Sequence, residues 1–210
     1  MQYINVVKIL VLFTFVHFLF KFDKRKTVHR WVLAILTLSL ANEILSSVFR
    51  YFEINIHFNS SIYTIVHTVL WLGLLGHISK RTKLTSNLAI AYLFFAVVNL
   101  MWIDGVRMYN VYSLILGALL YVLVFIYDSY MRLREEDLTY FSTNEYVITA
   151  APILFMIGFG MLYGFRNKAL SETRVLGMTL YHAVCYFINI VYYGMLNYAF
   201  TAIRRRDSGE

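Results

Sequence analysis

The sequence predicts an all-α polytopic membrane protein, a bundle of seven transmembrane helices with the N-terminus outside and the C-terminus in the cytoplasm. Three observations carry this. Of 210 residues, 60% are hydrophobic, against roughly 45–50% in a soluble domain. The apolar residues fall into seven stretches, with a single proline in the whole chain. The basic residues lie between those stretches and favour one side, as the positive-inside rule requires.

The stretches are Ile4–Phe20, Trp31–Tyr51, Ile62–Ser79, Leu88–Ile103, Val111–Tyr130, Tyr146–Phe165 and Val175–Ile203. Most are near the ~20 residues that cross a hydrocarbon core as helix. In lipid each backbone N–H and C=O must be satisfied within its own segment, so helix is the conformation expected. The fourth stretch is the shortest. Residues 1–203 read as one transmembrane domain and 204–210 as a basic cytoplasmic tail. The first stretch does not read as a cleaved signal peptide: Lys8 interrupts it, the main basic cluster follows it, and no small-residue cleavage site is visible.

With the N-terminus outside, thirteen Lys and Arg fall on the cytoplasmic side and five on the outer side. The inner set comprises Lys21, Lys24, Arg25, Lys26, Arg30, Lys80, Arg81, Lys83, Arg132, Arg134, Arg204, Arg205 and Arg206; the outer set is Arg50, Arg107, Arg166, Lys168 and Arg174. Lys8 belongs to neither. Trp31, Tyr127 and Tyr130 are expected at the inner interface, and Trp102, Tyr109 and Tyr112 at the outer one. A cytoplasmic membrane is the expected location.

The net charge of +7 does not indicate nucleic acid, because the basic residues flank apolar segments instead of forming a face among aromatics. The lone Cys185 permits no internal disulfide. No glycine-rich phosphate loop, nucleophile elbow or metalloprotease helix is present. The longest polar stretch, "MRLREEDLTYFSTNE", reads as a solvated extension of the fifth helix or as a docking surface.

The stretch "LANEILSSVFRYFE" places Glu43 inside the second apolar segment. A carboxylate there is expensive and faces the bundle interior with a partner. Glu43 lies about seven residues, or ~10 Å at the helix rise, below the outer end of its segment. His67 and His182 lie at the same depth on the third and seventh segments. Glu43, Ser47 and Arg50 align on one helix face; Tyr63, His67 and Trp71 on another; His182, Asn189, Tyr193 and Asn197 on a third. The expected polar layer is therefore Asn42, Glu43, Tyr63, His67, His182, Asn189, Tyr193 and Asn197, with His67, His182 or Arg50 paired to Glu43. His17 and His77 read as interfacial, and His29 and His57 as loop residues.

The plain alternative is that these residues are only interhelical hydrogen-bond glue, each worth about 1 kcal/mol. Two histidines and a glutamate could hold zinc, as in seven-helix hydrolases of the ceramidase and adiponectin-receptor type. Those use paired histidines in the last helix, where this chain has His182 alone. A haem between His67 and His182 rests on two residues only, and the last segment lacks the lysine a retinal Schiff base needs. No metal, haem or other cofactor is expected.

The segments "LANEILSSVFRYFEIN", "IYTIVHTVLW" and "YHAVCYFINIVYYGMLNYAF" resemble a group of small seven-helix membrane proteins common in Bacteroidota. The resemblance runs over nearly the full length. It implies no biochemical activity, but it implies a genomic neighbourhood of histidine kinases. Glu43 matches the acidic residue of that group's second helix, and Asn189 and Asn197 match its last helix. His67 stands where the group often has an acidic residue.

Together these observations predict a non-enzymatic sensory or signalling module with a polar pocket in the outer half of the bundle. A small-solute transporter or channel is the first alternative, and an intramembrane metal-dependent hydrolase the second. The expected partners are the lipid bilayer, a signalling protein such as a histidine kinase, and a second copy of the chain.

Overall fold

The computed structural model describes residues 6–164, 173–175 and 177–207. They form seven α-helices: α1 (Val6–Leu19), α2 (Thr27–Tyr51), α3 (His57–Ile78), α4 (Thr82–Val98), α5 (Val111–Arg134), α6 (Asn144–Gly164) and α7 (Leu180–Asp207). Six of the apolar helices are long enough to cross a membrane, and α1 is a shorter apolar helix. This is the architecture of an integral membrane protein.

The surface supports that assignment. Phe13 is 61% exposed, Phe94 72% and Phe187 62%, while Thr14, Ser61, Ser113 and Thr149 are fully buried. Exposing large apolar side chains while burying hydroxyls is costly in water and suited to lipid, where polar groups must find partners inside the bundle.

Side-chain oxygens accept from first-turn backbone N–H groups at three helix starts. Asn55 Oδ1 accepts from His57 N (2.8 Å) before α3. Thr143 Oγ1 accepts from Tyr146 N (3.2 Å) at α6, and Thr179 Oγ1 accepts from His182 N (3.4 Å) at α7. Each satisfies a backbone donor that the first turn cannot.

Several element bounds depart from the sequence reading. The fourth span is not short. It begins at Thr82 and is prolonged through a π-helical turn, Asn99–Ile103, in which Asp104 N bonds to Asn99 O (2.9 Å). The seventh helix begins at Leu180, because Arg174–Val175 and Met178–Thr179 pair as antiparallel strands β1 and β2. Gly177 supplies φ +81° in their turn, a conformation favourable to glycine alone. Of the expected tail, residues 204–207 continue α7, which runs to Asp207, and residues 208–210 lie outside the described residues. Arg166 and Lys168 lie outside the described residues.

Helix α3 is the hub. It packs against α2, α4, α5 and α6, while α7 closes the ring between α6 and α1. Trp71, Leu72, Leu74 and Leu75 of α3 are fully buried. At its C-terminal end α3 approaches α4 so closely that a Cβ on Gly76 would stand 2.7 Å from Thr85 Cβ. Trp31, expected at the membrane interface, packs on Gly73 of α3.

The stretch after α5 is neither a plain helical extension nor free. A 3-10 turn, Leu138–Ser142, folds back on the bundle. Arg132 gathers it: its guanidinium bonds Asp137 (3.0 Å), sits 4.0 Å from Asp128 and lies 4.4 Å over the Tyr140 ring. The Thr139 hydroxyl, donating at 2.9 Å, and Arg132 hold the Asp137 carboxyl below its usual range.

Two predictions follow from this packing. Gly76→Val should destabilise the bundle by about 1–3 kcal/mol, since Thr85 has no free space to yield, measured as thermal unfolding in detergent. Because the folded Asp137 carboxyl is depressed, its contribution is present above its ordinary value of 3.8 and lost as pH falls through the lower folded value. The difference in unfolding temperature between the parent chain and Asp137→Asn should therefore be small but present at pH 6 and shrink toward pH 3.

Candidate functional site

A cavity of about 300 Å³ opens among α1, α2, α3, α5, α6 and α7, within the range of small-molecule sites. Asn42, Glu43, Tyr63, His67, His182, Asn189 and Tyr193 all line it. The helical spacing that aligned them on three faces thus also brings those faces together.

The floor is aromatic. Trp71 Nε1 donates to His67 Nε2 at 3.1 Å, and both side chains are buried. An indole N–H can only donate, so Nε2 carries no proton and the imidazole is neutral with its proton on Nδ1. Tyr63, Phe155 and Tyr192 surround the ring, with centroids at 5.0, 5.5 and 6.4 Å. Tyr63 Oη lies 3.3 Å from Ser39 Oγ, which also bonds back to Ile35 O (3.0 Å). Asn189, buried on α7, donates to Cys185 O at 2.7 Å.

The upper wall is charged. Glu43 feels two cations, Lys8 from α1 and then Arg50 from its own helix, and both line the cavity. His182 is exposed, with Nδ1 2.6 Å from Thr179 Oγ1. No hydrogen bond or ion pair joins Glu43 to His67 or His182 among the described residues. Neither imidazole is therefore the partner of Glu43; of the three expected, Arg50 bears on the carboxylate, together with Lys8, through its charge. The physical reason is that His67 spends its acceptor on Trp71 and stacks among aromatics, while His182 is tied to the cap of α7.

Ser47 also departs from expectation. Its hydroxyl bonds back to Glu43 O (2.6 Å) along the helix, and Ser46 lines the cavity instead. Asn42 bridges α2 to α3, accepting from Asn59 Nδ2 at 3.0 Å. Tyr109, expected at the interface, bonds Thr64 (2.8 Å) and lines the cavity.

Asn197 does not reach the cavity. One turn beyond Tyr193, it turns to α1, donating to Thr14 Oγ1 (2.6 Å) and meeting His17 Nδ1 (2.6 Å). His17 is thus an interhelical contact. His29 is also not a loop residue: it is buried in α2 and accepts from Asp23 N at 3.0 Å.

Lys8 is the functional neighbour that residue pairing by depth overlooked. Its signal was visible as the only charge inside the first apolar stretch. Ser39, Phe155 and Tyr186 carried no such signal, since a serine or aromatic in an apolar helix is ordinary.

Chemically the arrangement can hold a solute by charge, hydroxyls and ring faces. The Cys185 thiol has Tyr181 as its hydrogen-bond partner, so it is not paired with His182 as a nucleophile with its base. Among the described residues no three His, Cys, Asp or Glu side chains converge as a metal site.

Asn197→Leu should lower stability by about 1–2 kcal/mol through loss of the α1–α7 hydrogen bonds, read by thermal unfolding. In double-mutant cycles, Glu43→Gln and His67→Ala should add within about 0.5 kcal/mol, whereas Glu43→Gln and Lys8→Gln should couple beyond that. Compared with known proteins, the chain matches no family model, no curated protein and no solved structure.

Proposed function

We propose that this protein is a non-enzymatic sensory or signalling module of a bacterial inner membrane, in which the cavity receives a small solute. On this reading α1 is a seventh span, the N-terminus and cavity mouth face outside, and the α7 end faces the cytoplasm. The observation that carries it is the cavity itself: a charged and hydroxylated space over a buried aromatic floor, built from six helices.

Two features support transmission. The solute would touch α2, α3 and α7, and each of these helices continues to the opposite end of the bundle. There Arg81 of the α3–α4 turn lies 5.0 Å over Tyr127, beside the Arg132 cluster. A solute that favours one arrangement of these helices shifts the population by its differential affinity for the two states. A partner at the cytoplasmic end would read the shift, and a histidine kinase is the partner the family resemblance implies.

A transporter built on a broken helix is less well supported, because α6 stays helical through Pro152. The hydrolase alternative lacks a convergent ligand set among the described residues.

A tag at Met1 should be accessible from outside and a tag after Glu210 only from inside. Purification of the full chain from its native membranes should carry a signalling protein with it, whose output changes with solute. Solute flux in proteoliposomes, or both tags on one side, would overturn this reading.

A further inference from the structure

A groove runs along the side of the bundle on α2. Arg30, Leu33, Ala34, Thr37, Leu38 and Ala41 line it, and Leu70 of α3 completes it. The α2 positions recur at three and four residues, so they form one continuous helix face. Arg30, Ala34, Thr37 and Ala41 are exposed. Apart from Arg30 and the Thr37 hydroxyl, the lining is apolar. From Arg30 to Ala41 the face runs ~16 Å at the helix rise. One leaflet supplies ~15 Å, half of a hydrocarbon core. The groove is thus as long as one leaflet is deep, and Arg30 stands at the end where α2 begins.

Arg30 is placed to hold an anion at that end. One arm of its guanidinium donates to Thr27 Oγ1 at 3.1 Å, and its other donors make no hydrogen bond or ion pair among the described residues. A guanidinium meets a phosphate with two parallel donors. Lys24 and Arg25 are exposed in the turn before α2. The acidic residue of that turn, Asp23, is committed to the backbone, accepting from Arg25 N at 2.9 Å. The position of one guanidinium, and not a sum of charges, sets the polarity of the groove. A second copy fits this face poorly. Two copies in one membrane point the same way, so a two-fold contact along the face would set Arg30 against Arg30.

We infer that this groove binds one anionic phospholipid, with an acyl chain along residues 33–41 and the phosphate on Arg30. The site is separate from the cavity, and it holds whether or not the cavity receives a solute.

Native mass spectrometry tests this on the full chain, released from micelles that contain phosphatidylglycerol and phosphatidylcholine of identical chains. The parent chain should retain one phosphatidylglycerol in preference to phosphatidylcholine. Arg30→Gln should lower that preference about fivefold or more. Lys83→Gln, which removes an exposed cation in the first turn of α4, should leave it unchanged. Ala34→Phe, which fills the groove from an exposed position, should lower retention of both lipids. Glycerol phosphate, the headgroup without a chain, should not compete. Equal retention of the two lipids, an unchanged preference in Arg30→Gln, or an equal loss in Arg30→Gln and Lys83→Gln overturns the site. Competition by glycerol phosphate overturns it too, by making the ligand a free anion. A dimer that is lost with Ala34→Phe gives the groove to a second copy, and with it the lipid assignment falls.

Discussion

The bond from Trp71 to His67 is the constraint around which the bundle is organised. Both residues belong to α3, which packs on α2, α4, α5 and α6, and both are buried. An indole N–H away from water must donate to something, and leaving it without a partner costs about 1–3 kcal/mol. His67 meets that need along its own helix, one turn away. The imidazole is thereby fixed in tautomer and orientation, and Phe155 and Tyr192 pack on it. The floor of the cavity is rigid because its polar atom is already committed.

Polar residues in the bundle divide by what they bond to. One group ties helices together: Asn197 with Thr14 and His17, Asn42 with Asn59, and Asn110 with Asn99 and Ser61. A second group bonds back to its own backbone or stacks, leaving side chains to face the cavity: Ser39, Asn189 and His67. Interhelical bonds of this kind are worth of the order of 1 kcal/mol each in lipid. The first group holds helices together and the second lines the cavity, while Asn42 does both. The short α1 depends most on the first group, since Lys21 Nζ also bonds Phe200 O at 3.0 Å.

The Arg132 cluster follows the same economy of partners. Arg132 bonds one carboxylate, approaches another and covers a tyrosine ring. A long side chain whose head is held at several points orders the turn after α5, where a run of mixed charge alone would stay solvated. That turn faces the same end as Arg81 and Tyr127, so the end of the bundle opposite the cavity carries an ordered surface.

The chain by itself determined its helices, since apolar stretches long enough to span lipid have only one way to satisfy their backbone. It also placed Glu43, His67, His182 and Asn189 around one space, because helical period and depth are properties of spacing. The ends of α4 and α7 were not legible. A π-turn and a two-stranded ribbon depend on local hydrogen bonds, such as Asp104 N to Asn99 O, that hydropathy does not register. Partner choice was not legible either. Depth set Glu43 level with two imidazoles, but only the packing of α1 brought Lys8 to its side, and only the buried indole of Trp71 took His67 out of reach. Asn197 shows the same limit: its spacing from Asn189 and Tyr193 matched the cavity face, and the rotation of α7 against α1 turned it away. Sequence periodicity says which residues share a face; tertiary packing decides which neighbour that face meets, because a polar group in lipid bonds whatever the fold brings within reach.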